Sequence, residues 1–216
     1  MSTEIKHHLT DDLLMAYAAG TLPEAFDLMV ATHLSLCDHC RARAESFEAV
    51  GGCVLQEQDG TANMSDGSLA ATMALIAKGA PIAKPVRAGC SVLPAPLQDY
   101  VGGDVNSIKW RSIGMGVKQA ILPTTSEATA RLLFIPAGAA VPDHSHNGME
   151  LTMVLQGAFS DEVDHFARGD VEIADEDLHH MPTADFSEDC ICLAVTDAPL
   201  KFTKMMPRLF QPFLRI

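Results

Sequence analysis

The sequence contains no apolar run that approaches the roughly 20 residues of a membrane-spanning helix. Its first residues, MSTEIKHH, also lack the apolar segment of a secretory signal. These two absences predict a cytoplasmic protein without a membrane partner. Cysteines stay reduced in that compartment, so the six cysteines are expected to be metal ligands or buried thiols rather than a disulfide framework.

Basic side chains are also scarce, because 15 Lys and Arg stand against 28 Asp and Glu, for a formal net charge of −13. A protein that binds nucleic acid directly needs a basic surface that displaces counterions from the phosphates. The composition therefore argues against a direct nucleic-acid partner and favours a basic protein partner. Hydrophobic residues make up 48% of the 216 positions, which is ample for folded cores.

The segment from His33 to Cys40 has the spacing of a metal site. If residues 24–36 are helical, His33 and Cys37 lie at i and i+4 on one side, and Cys37 and Cys40 form a C-x2-C pair. Structural zinc is four-coordinate, and soft or borderline ligands suit it, so a further imidazole or thiolate is required. The sequence therefore predicts a zinc site with one ligand from outside this segment.

His8 is the predicted fourth zinc ligand, and His7 is the alternative. Thr10 is expected to cap a first helix, and Thr21 with Glu24 to form a capping box that opens a second helix. The turn between these helices is short, so they form an antiparallel hairpin. The hairpin brings the residues before the first helix close to the end of the second helix.

Two more helices are predicted in the first 80 residues. Asp38 is expected to cap the third, which Gly51 and Gly52 weaken midway, and Ser65 to open the fourth, which ends at Lys78. These helices are rich in Ala, Met and Leu, and so small a bundle has little interior to fill. Part of the apolar helical surface is therefore predicted to bind a partner.

The pattern changes along the chain in a way that predicts two domains. Residues 1–80 form the helical zinc-binding domain, the proline-bearing stretch 81–96 is a linker that contains Cys90, and residues 97–216 form the second domain. After Trp110, short β-prone runs separated by Gly, Pro and Asp predict a β-barrel or jelly roll. The fold class is thus α + β, with predicted strands within 117–122, 131–135, 151–155, 171–173 and 190–195.

A second metal site is predicted among these strands. His144 and His146 point to the same side of an extended segment. Glu150 is expected to join them from the next strand and His180 from a distant one, whereas the neighbouring His179 faces the other way. Three imidazoles and a carboxylate suit a divalent metal, with zinc as the first choice and manganese, iron or nickel as alternatives.

The same residues resemble the first cupin motif, G-x5-H-x-H-x3-E-x6-G, which begins at Gly138 and ends at Gly157. Gly169-Asp170 with His180 is similar to the second cupin motif, although Asp175 stands where that motif often has proline. With the H-x3-C-x2-C segment ahead of it, the whole chain resembles the ChrR-type zinc-binding anti-sigma factors.

This resemblance implies a regulator rather than an enzyme. The helical domain would bind and inhibit an extracytoplasmic-function sigma factor, and the cupin domain would release it under singlet oxygen or oxidative stress. A disulfide between Cys37 and Cys40 would span only one helical turn, so that zinc is expected to be structural. The signal is expected to enter through the cupin site, where Cys190 and Cys192 share one face of a nearby strand.

Two other functions remain open from the sequence. A metal-dependent cupin dioxygenase or isomerase is the alternative, because the second ligand set leaves positions free on the metal. The other open function is that of a metal-dependent scaffold for a partner other than a sigma factor.

Overall fold

The computed structural model describes residues 4–57, 64–79, 91–176, 178–199 and 201–202. Residues 81–90 of the predicted linker, with Cys90, lie outside the described residues. Within the described ranges the helices are α1 (Asp11–Ala18), α2 (Glu24–Leu34), α3 (Asp38–Gln56), α4 (Ser68–Lys78) and α5 (Ala95–Val101), and a 3-10 turn spans Val105–Ser107.

The strands of the described residues form three antiparallel ladders. A six-stranded sheet has the order β1-β2-β3-β10-β5-β8, a three-stranded sheet has the order β7-β6-β9, and β11 pairs with β4. The bounds are β1 (Arg111–Gly114), β2 (Val117–Ile121), β3 (Thr129–Ile135), β4 (His144–Ser145), β5 (Glu150–Gln156), β6 (Ala158–Ser160), β7 (His165–Ala167), β8 (Val171–Ala174), β9 (Thr183–Ala184), β10 (Cys190–Thr196) and β11 (Lys201–Phe202). The five predicted strands are all present.

Of the predicted β-barrel or jelly roll, the described residues do not show a closed barrel, because the three ladders do not join into one continuous sheet. Single bridges, from Ala140 to Thr183 and from His144 to His180, connect the shorter ladders instead. Proline lacks a backbone donor, and Pro142 and Pro182 stand beside the two-residue strands β4 and β9. The fold is therefore a cupin-like arrangement of open sheets.

The capping box predicted at the start of α2 is wrong. The Thr21 hydroxyl donates to the carbonyl of Ala16 at 3.1 Å rather than capping α2. The Glu24 carboxylate accepts from the Tyr100 hydroxyl and from the backbone N–H of Thr125, both at 2.7 Å. Glu24 thus fastens α2 to the segments around α5 and β3, a long-range role that local sequence spacing does not reveal.

The other helix ends follow the sequence more closely. Thr10 caps α1 as predicted, because its hydroxyl oxygen accepts from the N–H of Leu13. At α3 the N-cap is Cys37 rather than Asp38, since the Cys37 sulfur accepts from the N–H of Cys40 at 3.4 Å. The glycine pair midway along α3 does not end that helix.

The helices and the six-stranded sheet share one hydrophobic core. Side chains alternate along each strand, so one face of the sheet meets the helices and the other meets the smaller sheets. Helix α2 packs across β3, β5 and β10, and every residue of β10 is buried. The outer face, toward the helices, presents Ala130, Leu132, Leu151, Met153, Leu155, Ile191, Leu193 and Val195.

Asp104 fixes the chain just before α5. Its carboxylate accepts from the N–H groups of Leu93 at 3.1 Å and Val92 at 3.4 Å. Burial opposes ionisation, but the hydrogen bonds from the Ser91 hydroxyl and these N–H groups outweigh it and lower the pKa of Asp104.

The Asp104→Asn protein is expected to lose about 1.5 kcal/mol of unfolding free energy at pH 7, because charge-assisted hydrogen bonds are weakened. The folded pKa lies below that of the unfolded chain, so this stability is present above about pH 4 and is lost as the pH falls through the folded value. Denaturant unfolding of the unaltered and Asp104→Asn proteins at pH 7 and pH 3 measures this difference in unfolding free energy. An equal difference at both pH values would contradict the assignment.

Candidate metal centres

His33 lies in the last turn of α2 and is fully buried. Its Nδ1 is 3.0 Å from the carbonyl oxygen of Gly169, which can only accept, so Nδ1 carries the hydrogen and Nε2 carries the lone pair. Among the described residues this Nε2 is buried without a hydrogen-bond partner. Burial lowers the pKa of His33 to about 4, so the ring is neutral at pH 7 and suited to bind a cation.

Two thiols and a second imidazole surround that lone pair. Nδ1 of His8 lies 3.4 Å from Sγ of Cys37 and 3.6 Å from Sγ of Cys40. One ligand atom from each of His8, His33, Cys37 and Cys40 lies within 4.8 Å of the others. Two sulfurs and two imidazole nitrogens are a common set for tetrahedral zinc, so this helical centre fits a zinc ion.

His7 is engaged elsewhere. Its Nε2 is 3.0 Å from the Asp164 carboxylate, its Nδ1 is 3.5 Å from the Asp170 carboxylate, and its ring lies against Phe166 with centroids 4.4 Å apart. The structure therefore brings His8, and not His7, to the helical centre.

This difference predicts opposite results for the two neighbouring histidines. The His8→Ala protein should lose metal at the helical centre, whereas His7→Ala should keep it. Cobalt titration of the purified protein measures this, since cobalt bound by thiolates has a strong charge-transfer band. Equal loss of that band in both variants would show that His7 also holds the ion.

The second centre lies on the inner face of the six-stranded sheet. Nε2 of His180 is 3.2 Å from Nε2 of His144 and 3.3 Å from Nε2 of His146. Nδ1 of His144 is 2.9 Å from the carbonyl of Pro142, so His144 directs a lone pair at the other rings. Burial lowers the pKa of His144 to about 4. Three converging nitrogens of this kind attract a cation.

Two carboxylates that the sequence analysis missed lie behind His180. Nδ1 of His180 is 2.8 Å from Glu172 and 3.5 Å from Asp161. Burial opposes charge on the ring, but the Glu172 hydrogen bond and the surrounding carboxylates outweigh it and raise the pKa of His180. The signal was available for Glu172, because it occupies an inward position between the apolar Val171 and Ile173.

Glu150 sits beside this cluster rather than within it. Its Oε2 is 3.3 Å from Nδ1 of His146, and its Oε1 accepts from the Thr152 hydroxyl at 3.1 Å. Among the described residues two groups of mutually close ligand atoms share His180, one with His144 and His146 and the other with Asp161 and Glu172, and neither group includes Glu150. The role of Glu150 as a metal ligand therefore stays a prediction. His179 is exposed, as its expected orientation requires.

Cys190 and Cys192 line the inner face of β10 near this cupin centre. Their sulfurs are 3.5 Å apart, and both residues are buried. The hydrogen bond with Cys190, together with burial, raises the pKa of the Cys192 thiol far above its usual range. A protonated thiol is a poor nucleophile, so in this state the Cys192 thiol is protected from peroxides.

No helix in the described part of the chain combines the length and the apolar character needed to cross a membrane. A cupin-like sheet with a three-histidine cluster and an adjoining group of Asp161, Glu172 and His180, covered by a helical part with a His2Cys2 cluster, defines a class of protein with potential metal ligands in both parts. Residues 98–200 match the family described as the ChrR cupin-like domain.

The similarity extends over almost the whole chain. The anti-sigma-E factor ChrR of Cereibacter sphaeroides is 58% identical over 212 residues, which cover 98% of this chain and 99% of the relative. A crystal structure of Rhodobacter sphaeroides SigE in complex with the anti-sigma ChrR matches with a TM-score of 0.79 and 57% identity, over 89% of this chain and 100% of that one. The chain belongs to the ChrR family of anti-sigma factors. The curated relative is a regulatory protein rather than an enzyme, which confirms the predicted class.

Proposed function

We propose that this protein binds and inhibits an extracytoplasmic-function sigma factor and releases it in response to singlet oxygen or related oxidative stress. The observation that carries the proposal is the 58% identity to an anti-sigma factor along 98% of the chain. A relative at 57% identity forms a complex with a sigma factor, which supports the same kind of partner here.

The surface that fits such a partner is formed by the second half of α3 and by α4. Helix α4 buries none of its residues, although it is rich in large apolar side chains. Exposed apolar side chains of this kind are typical of protein interaction sites, and methionine adapts well to a partner. We name these two helical segments the α3–α4 surface, with the exposed residues Val50, Val54, Leu55, Leu69, Met73, Leu75 and Ile76.

The helical centre would hold the part of the bundle next to this surface. Zinc bound by His8, His33, Cys37 and Cys40 would tie the N-terminal arm and α2 to the start of α3, and it would act structurally. In this proposal residues 1–80 form the sigma-binding domain, 81–96 the linker and 97–216 the cupin domain. The acidic balance of the chain, −13 overall, suits a basic partner.

The cupin centre would receive the oxidative signal. Its ligands, His144, His146 and His180, with Glu150 as the expected fourth, belong to side-chain types that oxidants attack or that hold a metal sensitive to oxidation. Zinc is the expected metal, and manganese, iron and nickel are the alternatives. Because the sheet and α2 share one core, a change at this centre would shift the helices and weaken their hold on the sigma factor.

Retention of the sigma factor by the full-length protein tests this proposal. Met73 and Ile76 lie on one side of α4, and changing both to aspartate is expected to lower affinity by at least about 100-fold, because charges would be buried in an apolar interface. Ala74→Asp, which lies about 100° or more around α4 from each named α4 residue of the α3–α4 surface, is the matched control and should leave binding unchanged. Isothermal titration calorimetry with the sigma factor measures the affinities of both variants. Failure of the unaltered protein to bind any extracytoplasmic-function sigma factor of its source cell would refute the proposal.

A further inference from the structure

We propose that the segment Gly169–Glu172 couples the two metal centres, with Asp170 positioning the helical centre and Glu172 positioning the cupin centre. The inference rests on the two metal sites proposed above. It adds that the occupancy of one centre changes the affinity of the other for its metal. Each end of the segment contacts a different centre, and the contacts are direct.

The first end holds His33. The Gly169 carbonyl accepts from Nδ1 of His33 at 3.0 Å and thereby directs Nε2 toward the thiols. Gly169 has φ +93°, and a Cβ atom there would lie 2.6 Å from Cδ1 of Ile5. Glycine at this position therefore permits both the left-handed turn and the close approach of the N-terminal arm.

Asp170 holds the arm that carries His8. Its Oδ1 accepts from the N–H of Lys6 at 2.7 Å and from the N–H of His7 at 2.9 Å. The N–H of Val171 donates to the carbonyl of His7 at 3.2 Å. Both the N–H and the carbonyl of His7, the residue just before His8, are thus hydrogen-bonded to Asp170 and Val171 at the start of β8. Asp170 touches no proposed ligand itself, so it acts through the arm.

The other end of the segment holds His180. Glu172 follows Val171 on β8, points to the inner face of the sheet and accepts from Nδ1 of His180 at 2.8 Å. Asp170 and Glu172 are only 2% and 4% exposed. Closely packed segments of this kind do not adjust at one end independently of the other. A metal that fixes the His180 ring would therefore also fix Glu172 and, through β8, the contacts of Gly169 and Asp170.

Because the proposal links the two centres in both directions, the test follows the metal at each centre separately. Full-length protein is loaded with cobalt at both centres, and release to an excess of chelator is followed. The thiolate charge-transfer band reports the helical centre alone, because the cupin ligand set contains no thiolate. The loss of that band gives the amount of cobalt released from the helical centre. Subtracting this amount from the total cobalt captured by the chelator gives the amount released from the cupin centre.

The Glu172→Gln protein should release cobalt from the thiolate centre about 5-fold faster than the unaltered protein, although Glu172 contacts no ligand there. Asp170→Asn should likewise speed release from the cupin centre. Asp185→Asn, which removes a carboxylate that contacts the exposed His165 ring away from both centres, is the control for Asp170. Glu188→Gln, an exposed glutamate between β9 and β10, is the control for Glu172. Both controls should release cobalt at the unaltered rate.

The coupling would be overturned if Glu172→Gln changed cobalt release from the cupin centre alone and Asp170→Asn changed it from the helical centre alone. If Asp170→Asn does not fold, two other measurements decide. The first is the effect of Glu172→Gln on cobalt release from the helical centre, and the second is hydrogen exchange of the Lys6 and Val171 amides in the unaltered protein. Those amides should exchange faster when the cupin centre is stripped of metal, and unchanged exchange would count against coupling. Protein that binds no cobalt at either centre would overturn the site assignment as well. Sigma-factor binding is measured separately, so it can fail without affecting either result.

Discussion

Changing Cys37 and Cys40 together to serine is expected to abolish zinc binding at the helical centre and, with it, retention of the sigma factor. Both thiols are buried, and the ligand atoms of the centre come from the N-terminal arm, the end of α2 and the start of α3. Structural zinc contributes about 10–16 kcal/mol of apparent binding free energy to small domains. That is comparable to the whole stability of an ordinary domain, so the helices should lose their fixed arrangement without the ion.

Metal content per chain, far-ultraviolet circular dichroism and sigma-factor retention measure the three parts of this result. Cys53→Ser is the matched control, because Cys53 is an exposed cysteine of the same helix α3 and belongs to neither centre. It should leave the metal content and the circular dichroism unchanged, and it is not used as a control for sigma-factor retention because it lies between Val50 and Val54 of the α3–α4 surface. A double serine variant that still retains the sigma factor with full affinity would show that the zinc does not support the binding surface.

The second large effect is expected from His180→Ala, which should empty the cupin centre and abolish release of the sigma factor by oxidant. Removing this ring deletes one of the three converging nitrogens and leaves Glu172 and Asp161 buried without their imidazole. Breaking a buried pair in this way costs about 3–5 kcal/mol, so the inner face should rearrange. The helical centre has its own ligands, so sigma-factor binding should survive in this variant, with its affinity lowered because the emptied cupin centre supports the helices less well.

His179→Ala provides the control, because His179 is the neighbouring residue but is exposed. Metal analysis of the purified proteins and a sigma-dependent reporter in cells exposed to singlet oxygen distinguish the two variants. An unchanged oxidant response in cells that carry His180→Ala would remove the cupin centre from the sensing pathway. Complete loss of both sigma-factor binding and the metal of the helical centre in the same variant would show that the change unfolds the protein rather than blocking the sensing step.

The proximity of the side chains at the helical centre could be predicted because its geometry is local, whereas their role as zinc ligands stays a prediction. His33, Cys37 and Cys40 lie within eight residues, and a helix followed by a tight turn leaves few ways to arrange them. The sequence could not decide between His7 and His8 as the fourth ligand, because the decision depends on which of the two rings contacts Asp164 and Asp170. Those carboxylates lie far away in the sequence, where spacing carries no information.

The cupin centre was predicted less completely for the same reason. The histidines follow a recognisable spacing, but the carboxylates behind His180 come from the loop after β6 and from β8, which no local pattern joins. The open form of the sheets was also missed, because strand patterns indicate alternation and length but not whether the edges meet. Tyr100 and Thr125 contact Glu24 only in the folded chain, and so the predicted capping box failed.

The shared core has a consequence for how such proteins can be recombined. The outer face of the six-stranded sheet carries Leu151, Met153, Leu155, Ile191 and Leu193, and α2 covers it with its own apolar side chains. A chimaera that grafts this cupin portion onto unrelated helices would leave that face exposed to water, and exposed apolar faces promote aggregation. Sensor and inhibitor halves should therefore be exchanged between relatives only as a matched pair, with the packing surface of each inherited alongside the other.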